Sequence, residues 1–361
     1  MKLLIDARVG WGHGIGRVVS NVVPRMAGLR PDWQIDVLVG PADVEVAEAA
    51  FAGHANLSVL PCAIEPFTIA EQTSLETHAR DYDLTWFTNY WVPLTWRGRF
   101  VATVHDMLHL IPKYFPSSVA KRVLARQTFH KLRRNAEAIV FVSRFTQQAF
   151  GEMIGTPRRG EVVHLGGDHL HYDVKPIEVR KRQLLVVAAS KRHKNFAMLL
   201  QAWQAADVAD HWTLVIISPG SRLRSSVDVE EAATQTKQTM ILRDVSNEEL
   251  SALYSDSAIL LMPSLYEGFG LPLLEGLLAG ALCISSNAGA MIEVGEGSFI
   301  QFVNGSDTAG WIASIEDACA SIDREDPAIP KVLALNVERA RRLRWADSAA
   351  AIVGVLEVAA R

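Results

Sequence analysis

The amino-acid sequence predicts an α/β protein built from two parallel sheets, each flanked by helices. Short apolar runs alternate with longer helical patterns, and turn residues bound the runs. Such alternation is typical of parallel strands that are connected through helices. The alternation stops in the turn-rich segment 166–176 and then begins again. Because 361 residues also exceed the usual size of one hydrophobic core, two domains are expected.

Ten apolar runs are predicted to be strands, and they fall into two series. Before the turn-rich segment lie KLLIDA (2–7), QIDVLVG (34–40), LTWFTN (84–89), FVATVHD (100–106) and AIVFVS (138–143). After it lie QLLVVAAS (183–190), WTLVIIS (212–218), MILRD (240–244), AILLMPS (258–264) and ALCISS (281–286). We therefore expect one parallel sheet in each half of the chain.

Helical patterns follow these runs. A helix is expected from about Gly16, and an apolar stripe over 195–206 predicts another. Ser246 with Glu249 three positions later predicts a capping box at a helix start. The tail, 337–361, is predicted to be helical throughout.

The predicted domains are 1–170 and 177–340. A helix over 341–361 is expected to pack back toward the N-terminal domain, because its second part is small and apolar enough to lie on a neighbouring surface. Repeats of twenty to fifty residues are absent from the sequence, which disfavours solenoid folds.

Composition excludes several classes of protein. Hydrophobic residues make up 49% and charged residues 21%, a balance typical of a folded soluble protein. A net charge of −4 disfavours general binding to nucleic acid. The cysteines are few and far apart, so neither a disulfide framework nor a cysteine metal site is indicated. With no signal peptide or membrane span in the sequence, a cytoplasmic location is expected.

The segment PSLYEGFGLPLLE (263–275) is the strongest indication of function. Gly268 and Gly270 let a ligand approach the backbone, and Pro272 suits the first position of a helix. The N-terminus of that helix would attract an anion such as a diphosphate. Glu267 in the turn and Glu275, expected in the first helical turn, can accept sugar hydroxyls. The segment therefore predicts a site for a sugar joined to a diphosphate.

Together with this segment, motifs spread over nearly the whole chain resemble the retaining GT-B glycosyltransferases of family 4, also called glycosyl transferases group 1. That family has two glutamates separated by seven residues, as Glu267 and Glu275 are. The further matching motifs are GIGR (14–17), TVHD (103–106), VSRFT (142–146) and HKN (193–195).

The resemblance implies the GT-B fold, in which two Rossmann-like domains face each other across a cleft. The C-terminal domain would hold a nucleoside-diphosphate sugar, and the N-terminal domain would hold a carbohydrate or lipid-linked saccharide acceptor. The reaction would need neither a metal ion nor a cofactor.

The resemblance also implies roles for residues of the C-terminal domain. Glu275 would bind the ribose hydroxyls and Glu267 would lie beside the transferred hexose. Lys194 would neutralise the phosphates, and Arg192 could add a second phosphate contact. The turn formed by Gly268, Phe269, Gly270 and Leu271 would contact the donor, with the ring of Phe269 either lining the sugar pocket or packing beneath the turn.

In the N-terminal domain, His105 and Asp106 end the strand FVATV, at the edge where ligands bind in open α/β sheets. The resemblance implies that His105 faces the donor hexose, whereas Asp106 could orient it or contact the acceptor. Gly14 and Gly16 are expected in the loop after the first strand, where the backbone could approach phosphate or acceptor. The loop lacks a complete dinucleotide fingerprint, so a nicotinamide site is disfavoured.

The expected activity is transfer of a hexose from a nucleoside-diphosphate sugar to an acceptor hydroxyl. By analogy with the family, mannose from GDP-mannose is favoured over UDP-hexoses, and bacterial surface polysaccharide or glycolipid is the expected product. The alternatives are a nucleotide-sugar epimerase, a phosphorylase, or a non-catalytic nucleotide-sugar-binding subunit. The basic segment that begins at Ser117 and ends at Arg134 could contact the inner face of the cytoplasmic membrane or be an ordinary solvated helix.

Overall fold

The computed structural model describes residues 1–9, 11, 14–187, 191–218 and 236–361. The chain divides into two compact units. The first contains Met1–Pro112, Pro116–Gly166 and Arg344–Arg361, and the second contains Lys113–Phe115 and Gly167–Leu343. Each unit is built around its own parallel sheet, so the predicted α/β class with two parallel sheets is confirmed.

The sheet of the first unit has seven parallel strands in the order β3-β2-β1-β4-β5-β6-β7. Their bounds are β1 Lys2–Asp6, β2 Gln34–Val39, β3 Leu57–Pro61, β4 Leu84–Phe87, β5 Phe100–Val104, β6 Ala138–Phe141 and β7 Gly160–Val162. The central strands are buried along nearly their whole length, as expected for a sheet covered by helices on both faces.

Helices of the first unit connect these strands. The described α-helices are Gly14–Leu29, Val44–Phe51, Ile69–Ser74, Val119–Asn135, Arg144–Met153 and Trp345–Ala360. Short 3₁₀ turns cover Pro41–Asp43, Leu75–Ala79 and Leu108–Leu110. The last helix of the chain packs against Gly14–Leu29 within this unit.

A buried ion cluster holds the loop that follows β3. The guanidinium of Arg8 lies 2.8 Å from Asp6 Oδ2 and 2.7 Å from Glu71 Oε1. Glu71 Oε2 in turn accepts hydrogen bonds from the indole of Trp91 at 2.6 Å and from the backbone of Phe67 at 2.8 Å. Burial opposes the positive charge, but the two carboxylates hold the pKa of Arg8 above its ordinary value. The cluster therefore joins the ends of β1, β3 and β4.

The sheet of the second unit has six parallel strands in the order β10-β9-β8-β11-β12-β13. Their bounds are β8 Lys181–Val187, β9 Thr213–Ser218, β10 Thr239–Arg243, β11 Ser257–Met262, β12 Leu282–Ser286 and β13 Gln301–Val303. The described α-helices are Phe196–Ala205, Asn247–Asp256, Leu271–Ala279, Met291–Val294, Thr308–Asp323 and Ala328–Ala340, and 3₁₀ turns cover Ile177–Val179 and Arg192–Lys194.

Arg180 joins the ends of two helices in this unit. It is 3% exposed, and its guanidinium donates to the backbone carbonyls of Ser257 at 3.1 Å, of Tyr254 and of Ala279. These carbonyls lie at the C-termini of Asn247–Asp256 and Leu271–Ala279, where helix dipoles favour a cation. Burial lowers the pKa of Arg180 to about 10.

All ten predicted strands are present, and the predicted capping box forms between Ser246 and Glu249. The prediction of an unbroken helical tail was wrong, because the helix Ala328–Ala340 ends before a second helix starts at Trp345. Between them the chain turns, and Leu343 O accepts a hydrogen bond from Gly167 N at 3.1 Å.

Candidate functional site

The strand order of the second sheet places two loops side by side. Strands β8 and β11 are neighbours in the middle of the sheet. The strand after β8 lies on one side of this pair and the strand after β11 lies on the other, so the topological switch point is between β8 and β11. Ligands of open α/β sheets bind outside the carboxyl ends of the strands at such a point. The loop carrying Lys194 follows β8, and the loop carrying Glu267 follows β11.

Asn195 and His193 tie these two loops together. The backbone N–H of Leu265 donates to His193 O at 2.6 Å. The amide of Asn195 donates to Pro263 O at 3.2 Å and to Gly305 O at 2.6 Å. Asn195 has a φ of 57°, in the left-handed region that asparagine tolerates better than most residues. Within the HKN motif only Lys194 was predicted to have a role, although asparagine at the end of a loop is a signal for a left-handed conformation.

Lys194 and Glu267 form an ion pair. The ammonium Nζ lies 2.6 Å from Glu267 Oε1, and both side chains are largely buried. Burial alone would raise the pKa of Glu267, but the charge and hydrogen bond of Lys194 outweigh it and hold that pKa below its ordinary value. Glu267 is therefore ionised at neutral pH, and the structure brings together two residues that the sequence predicted for the donor site.

Gly289 fixes the backbone of Glu267 from the side of β12. Its φ is +63°, and a Cβ atom there would lie 2.6 Å from Glu267 O and 2.7 Å from Glu267 N. Next to it, Ala290 N donates to Glu267 O at 3.1 Å. Gly289 was not predicted from the sequence. Three loops, after β8, β11 and β12, thus determine where Glu267 lies.

The helix Leu271–Ala279 begins directly after the glycine turn. Gly270 is its N-cap residue, with a φ of 99° that favours glycine. Pro272 occupies the second helical position, not the first, and Glu275 lies in the second turn, not the first as predicted. Phe269 is buried, which agrees with packing beneath the turn, and Gly268 is buried beside it. Leu271 is partly exposed at the helix start.

Glu275 is 3% exposed and two side chains orient its carboxylate. The hydroxyl of Tyr254 donates to Oε2 at 2.5 Å, and His169 Nε2 lies 3.1 Å from Oε1. Neither Tyr254 nor His169 was predicted from the sequence, because each lies far from Glu275 along the chain. Glu275 lies in the same unit as Glu267, but its carboxylate contacts Tyr254 and His169, whereas that of Glu267 contacts Lys194.

Arg192, the other cation predicted for the donor site, is exposed. Arg192 lies in the 3₁₀ turn Arg192–Lys194, directly before the paired lysine, and Lys191 precedes it. Among the residues that the structure describes, no group of three His, Cys, Asp or Glu side chains is placed to hold a metal ion.

In the first unit, His105 directly follows β5 and is held by the backbone. Its Nε2 lies 2.8 Å from Thr88 O, so this nitrogen carries the proton and donates. Burial lowers the pKa of His105 below its ordinary value, although Thr88 O and Asp106 oppose the shift. His105 is thus neutral near pH 7. Asp106 Oδ1 accepts from Leu108 N at 2.9 Å and so caps the turn that follows.

Gly14 and Gly16 do not lie in a loop. They occupy the first turn of the helix Gly14–Leu29, so their predicted placement was wrong. A Cβ atom at Gly16 would lie 2.4 Å from Trp11 O, whereas one at Gly14 would meet no atom within 4 Å. Gly16 is therefore explained by close packing on the backbone of Trp11. Part of the glycine-rich stretch, residues 10, 12 and 13, lies outside the described residues.

The basic segment forms the helix Val119–Asn135. Its buried face consists of Ala125, Thr128, Phe129 and Leu132. Val119 and Val123 are 66% and 52% exposed. No helix in the described part of the chain has the length and apolar character needed to cross a membrane.

Comparison with known proteins supports this picture of the second unit. Residues 171–308 match the family described as "Glycosyl transferases group 1". The chain is 25% identical over 335 residues to an O-antigen chain mannosyltransferase B of Escherichia coli, covering 84% of this chain and 87% of that protein. It is 24% identical over 235 residues to the O-antigen chain mannosyltransferase RfbU of Salmonella typhimurium, covering 64% and 63% of the two chains. A match to an MMP alpha-(1->4)-mannosyltransferase of Mycolicibacterium hassiacum is 30% identical over 142 residues, 38% of this chain and 34% of that one.

Solved structures share the fold over the whole length. Sucrose-phosphate synthase from Thermosynechococcus elongatus superposes with a TM-score of 0.78 at 16% identity, covering 99% of this chain and 98% of that one. Anabaena HepE in complex with UDP and glucose superposes with a TM-score of 0.75 at 16% identity, covering 99% of both chains. Residues 171–308 are therefore similar to the glycosyl transferases group 1, and the whole chain shares the fold of these solved glycosyltransferase structures.

Proposed function

We propose that the chain transfers a hexose from a nucleoside-diphosphate sugar to an acceptor hydroxyl with retention of the anomeric configuration. The observation that carries this proposal is the ion pair of Lys194 and Glu267 at the switch point of the second sheet. It lies in the loops around the N-terminus of the helix Leu271–Ala279. A cation beside a helix N-terminus suits a diphosphate, and the adjacent carboxylates suit sugar hydroxyls.

Lys194 and the helix N-terminus would stabilise the diphosphate as it leaves. An ammonium group has three donors, so a phosphate oxygen can bind Lys194 while the bond to Glu267 persists. Glu267 would accept a hydroxyl of the transferred hexose, and Glu275 would accept the ribose hydroxyls. The exposed guanidinium of Arg192 would add a contact to phosphate.

The reaction would break the bond between the anomeric carbon and the diphosphate oxygen and form one to the acceptor oxygen on the same face. The acceptor proton would pass to the departing phosphate oxygen. Neither a protein nucleophile nor a metal ion takes part in this scheme. The protein would act by positioning both substrates and by stabilising the negative charge on the leaving group.

His105 of the first unit would contact the donor hexose. Its Nε2–H is directed at Thr88 O, so Nδ1 is the nitrogen with the acceptor lone pair. A neutral imidazole in this tautomer can accept a hydrogen bond from a sugar hydroxyl. Asp106, which caps the following turn, would act by keeping His105 in place.

Mannose is the proposed hexose, with GDP-mannose as donor. Support comes from the relatives, because the proteins from Escherichia coli, Salmonella typhimurium and Mycolicibacterium hassiacum are all named mannosyltransferases. Two of them act, by name, on O-antigen chains, so bacterial surface polysaccharide on a lipid carrier is the proposed product. The enzyme would work in the cytoplasm, at the inner face of the cytoplasmic membrane.

A donor screen tests this proposal. The purified chain is incubated with GDP-mannose, UDP-glucose, UDP-galactose, ADP-glucose or dTDP-glucose and saccharide acceptors, and release of the nucleoside diphosphate is followed. We expect release from GDP-mannose and an α-linked product by NMR, since the donor is α-linked. A β-linked product would contradict retention. Conversion of a donor without an acceptor, or a requirement for inorganic phosphate, would point to an epimerase or a phosphorylase.

The helix Val119–Asn135 supports docking on an anionic membrane. It contains six basic residues and no acidic residue, and Val119 and Val123 are exposed beside them. Basic residues around exposed apolar side chains favour the surface of an anionic bilayer. We expect co-sedimentation with phosphatidylglycerol vesicles but not with phosphatidylcholine vesicles. Val123→Ser should weaken it, whereas Val46→Ser, on another exposed helix position, should not.

A further inference from the structure

We infer that His169 is a positioning residue for the donor nucleotide, which acts by holding the carboxylate of Glu275 in the orientation that accepts the ribose hydroxyls. This inference rests on the proposed function, in which Glu275 binds the ribose. It adds a residue that lies outside every motif considered in the sequence. It also places part of the donor site in the segment that enters the second unit from Gly167.

The geometry around Glu275 carries the inference. His169 Nε2 lies 3.1 Å from Oε1, and the hydroxyl of Tyr254 donates to Oε2 at 2.5 Å. The side chains of His169 and Glu275 are 5% and 3% exposed. A carboxylate oxygen accepts hydrogen bonds, and the histidine nitrogen is the donor in this contact. Because these donors lie on different oxygens, the carboxylate cannot rotate without losing a buried hydrogen bond.

The segment that carries His169 is fastened on both sides of it to the same unit. Before His169, Gly167 N donates to Leu343 O at 3.1 Å, and after it Asp173 N donates to Ser255 Oγ at 3.0 Å. Within the segment, the hydroxyl of Tyr172 donates to Gly167 O at 2.9 Å. The ring of Tyr172 packs edge-on against that of Tyr254, with centroids 6.3 Å apart. His169 and Tyr254 are therefore placed by one set of contacts, and both side chains reach Glu275.

Such fixing affects binding because a carboxylate can accept about four hydrogen bonds. Ribose hydroxyls would be further donors to an acceptor whose direction is already set. Residues that orient a ligand-binding group in this way reduce the conformational entropy that the group loses when the ligand binds. Without His169, Glu275 would turn more freely, and the preference for a nucleotide with ribose hydroxyls would fall.

Calorimetry with pairs of nucleotides tests the role. Titrations compare GDP with 2′,3′-dideoxy-GDP, and UDP with 2′,3′-dideoxy-UDP, on the wild type, His169→Leu and His171→Leu. The wild type should bind the ribonucleotide more tightly than its dideoxy partner, by about tenfold for a charge-assisted hydrogen bond. His169→Leu should lose most of this ratio and bind the dideoxy nucleotide as the wild type does. The exposed His171, in the same segment, is the matched control and should change neither affinity.

Each outcome decides a different claim. Equal loss of affinity for both members of a pair would assign His169 a merely structural role and overturn the inference. A wild type that binds nucleotides without distinguishing ribose from dideoxyribose would refute the role of Glu275 itself. His169→Gln keeps an N–H donor and should retain more of the ratio than His169→Leu. If His169→Leu does not fold, Tyr254→Phe, which removes one hydroxyl, must reduce the ratio for the inference to stand.

Discussion

Lys194 Nζ lies 2.6 Å from Glu267 Oε1, and the two residues follow neighbouring strands of one parallel sheet. The position of the pair is set by the backbone, since Leu265 N donates to His193 O and Asn195 donates to Pro263 O. A mostly buried ion pair of this kind costs desolvation and is therefore weak evidence for stability alone. The proposed donor site gives this pair a role other than stability, because its ligand would combine phosphate charge with sugar hydroxyl groups.

Removing the lysine should make unfolding easier and change its pH dependence. Lys194→Met leaves Glu267 largely buried without its ammonium partner, and we expect a loss of about 1–3 kcal/mol in unfolding free energy near pH 7. In the wild type, the pKa of Glu267 is lower in the folded chain than the ordinary value of 4.5. The ion pair therefore contributes stability that is present above pH 4.5 and is lost as the pH falls through the folded-state pKa. The difference in unfolding free energy between wild type and variant, called the gap below, should therefore become smaller as the pH falls.

Urea unfolding at pH 7 and at pH 4 measures this gap. Lys181→Met is the control, because Lys181 starts the strand that leads to Lys194 and its side chain is 61% exposed in an ion pair with Asp256. Its effect should be below about 1 kcal/mol. A gap for Lys194→Met that stays constant between the two pH values would contradict a buried, ionised Glu267.

Gly289→Ala should displace Glu267. The new Cβ atom would lie within 2.7 Å of the Glu267 backbone, and the φ of +63° adds strain for any residue with a side chain. We expect a loss of about 1–3 kcal/mol in stability together with weaker nucleotide binding. Gly354→Ala, where a Cβ atom meets nothing within 4 Å in a helix, should instead stabilise by up to about 1 kcal/mol. Equal effects of the two substitutions on melting would count against this placement of Gly289.

Arg180→Met should destabilise the second unit. The substitution removes a buried cation from the carbonyls of Ser257, Tyr254 and Ala279, which then lose their donor. We expect a loss of about 3 kcal/mol, comparable to breaking other buried charged interactions. Differential scanning calorimetry would check it. An unchanged melting temperature would mean that water replaces the guanidinium at no cost.

His105→Gln should reduce the sensitivity of the protein to mild acid. Burial lowers the pKa of His105 below 6.5 in the folded state, so the unfolded chain binds the proton more readily. Wild-type unfolding free energy should therefore fall as pH drops from 7 toward 5. Glutamine can still donate to Thr88 O but does not titrate, so the variant should show a shallower fall. The same slope for both proteins would show that His105 does not titrate as described.

Apolar patterning was sufficient to predict the buried strands and the edge strand β10, but not the other three edge strands. β1, β4, β5 and β6 consist largely of buried apolar residues, and their runs stand out in the sequence. β3, β7 and β13 were not predicted, because they are short and mostly half-buried or exposed. Pairing at the edge of a sheet is decided by the neighbouring strand, which a local pattern does not reveal.

Prediction of the candidate site had a similar limit. Lys194 and Glu267 could be found because each follows an apolar run and belongs to a motif. Asn195, Gly289 and His169 act through contacts with residues far away in the sequence, so their roles became visible only in the folded chain. The start of the helix Leu271–Ala279 was predicted one residue too late, so Glu275 was assigned to the first turn instead of the second. Helix boundaries beside a glycine-rich turn shift easily by a residue or two.

The most direct test of the account is the affinity of the wild type and Lys194→Met for GDP and UDP, measured by isothermal titration calorimetry with Lys181→Met as control. We expect the wild type to bind at least one of the two nucleotides. Lys194→Met should bind it about tenfold or more weakly through loss of a charge-assisted phosphate contact, and Lys181→Met should bind it as the wild type does. Equal affinity of Lys194→Met and wild type, or no binding of either nucleotide by the wild type, would contradict a donor site at Lys194 and Glu267.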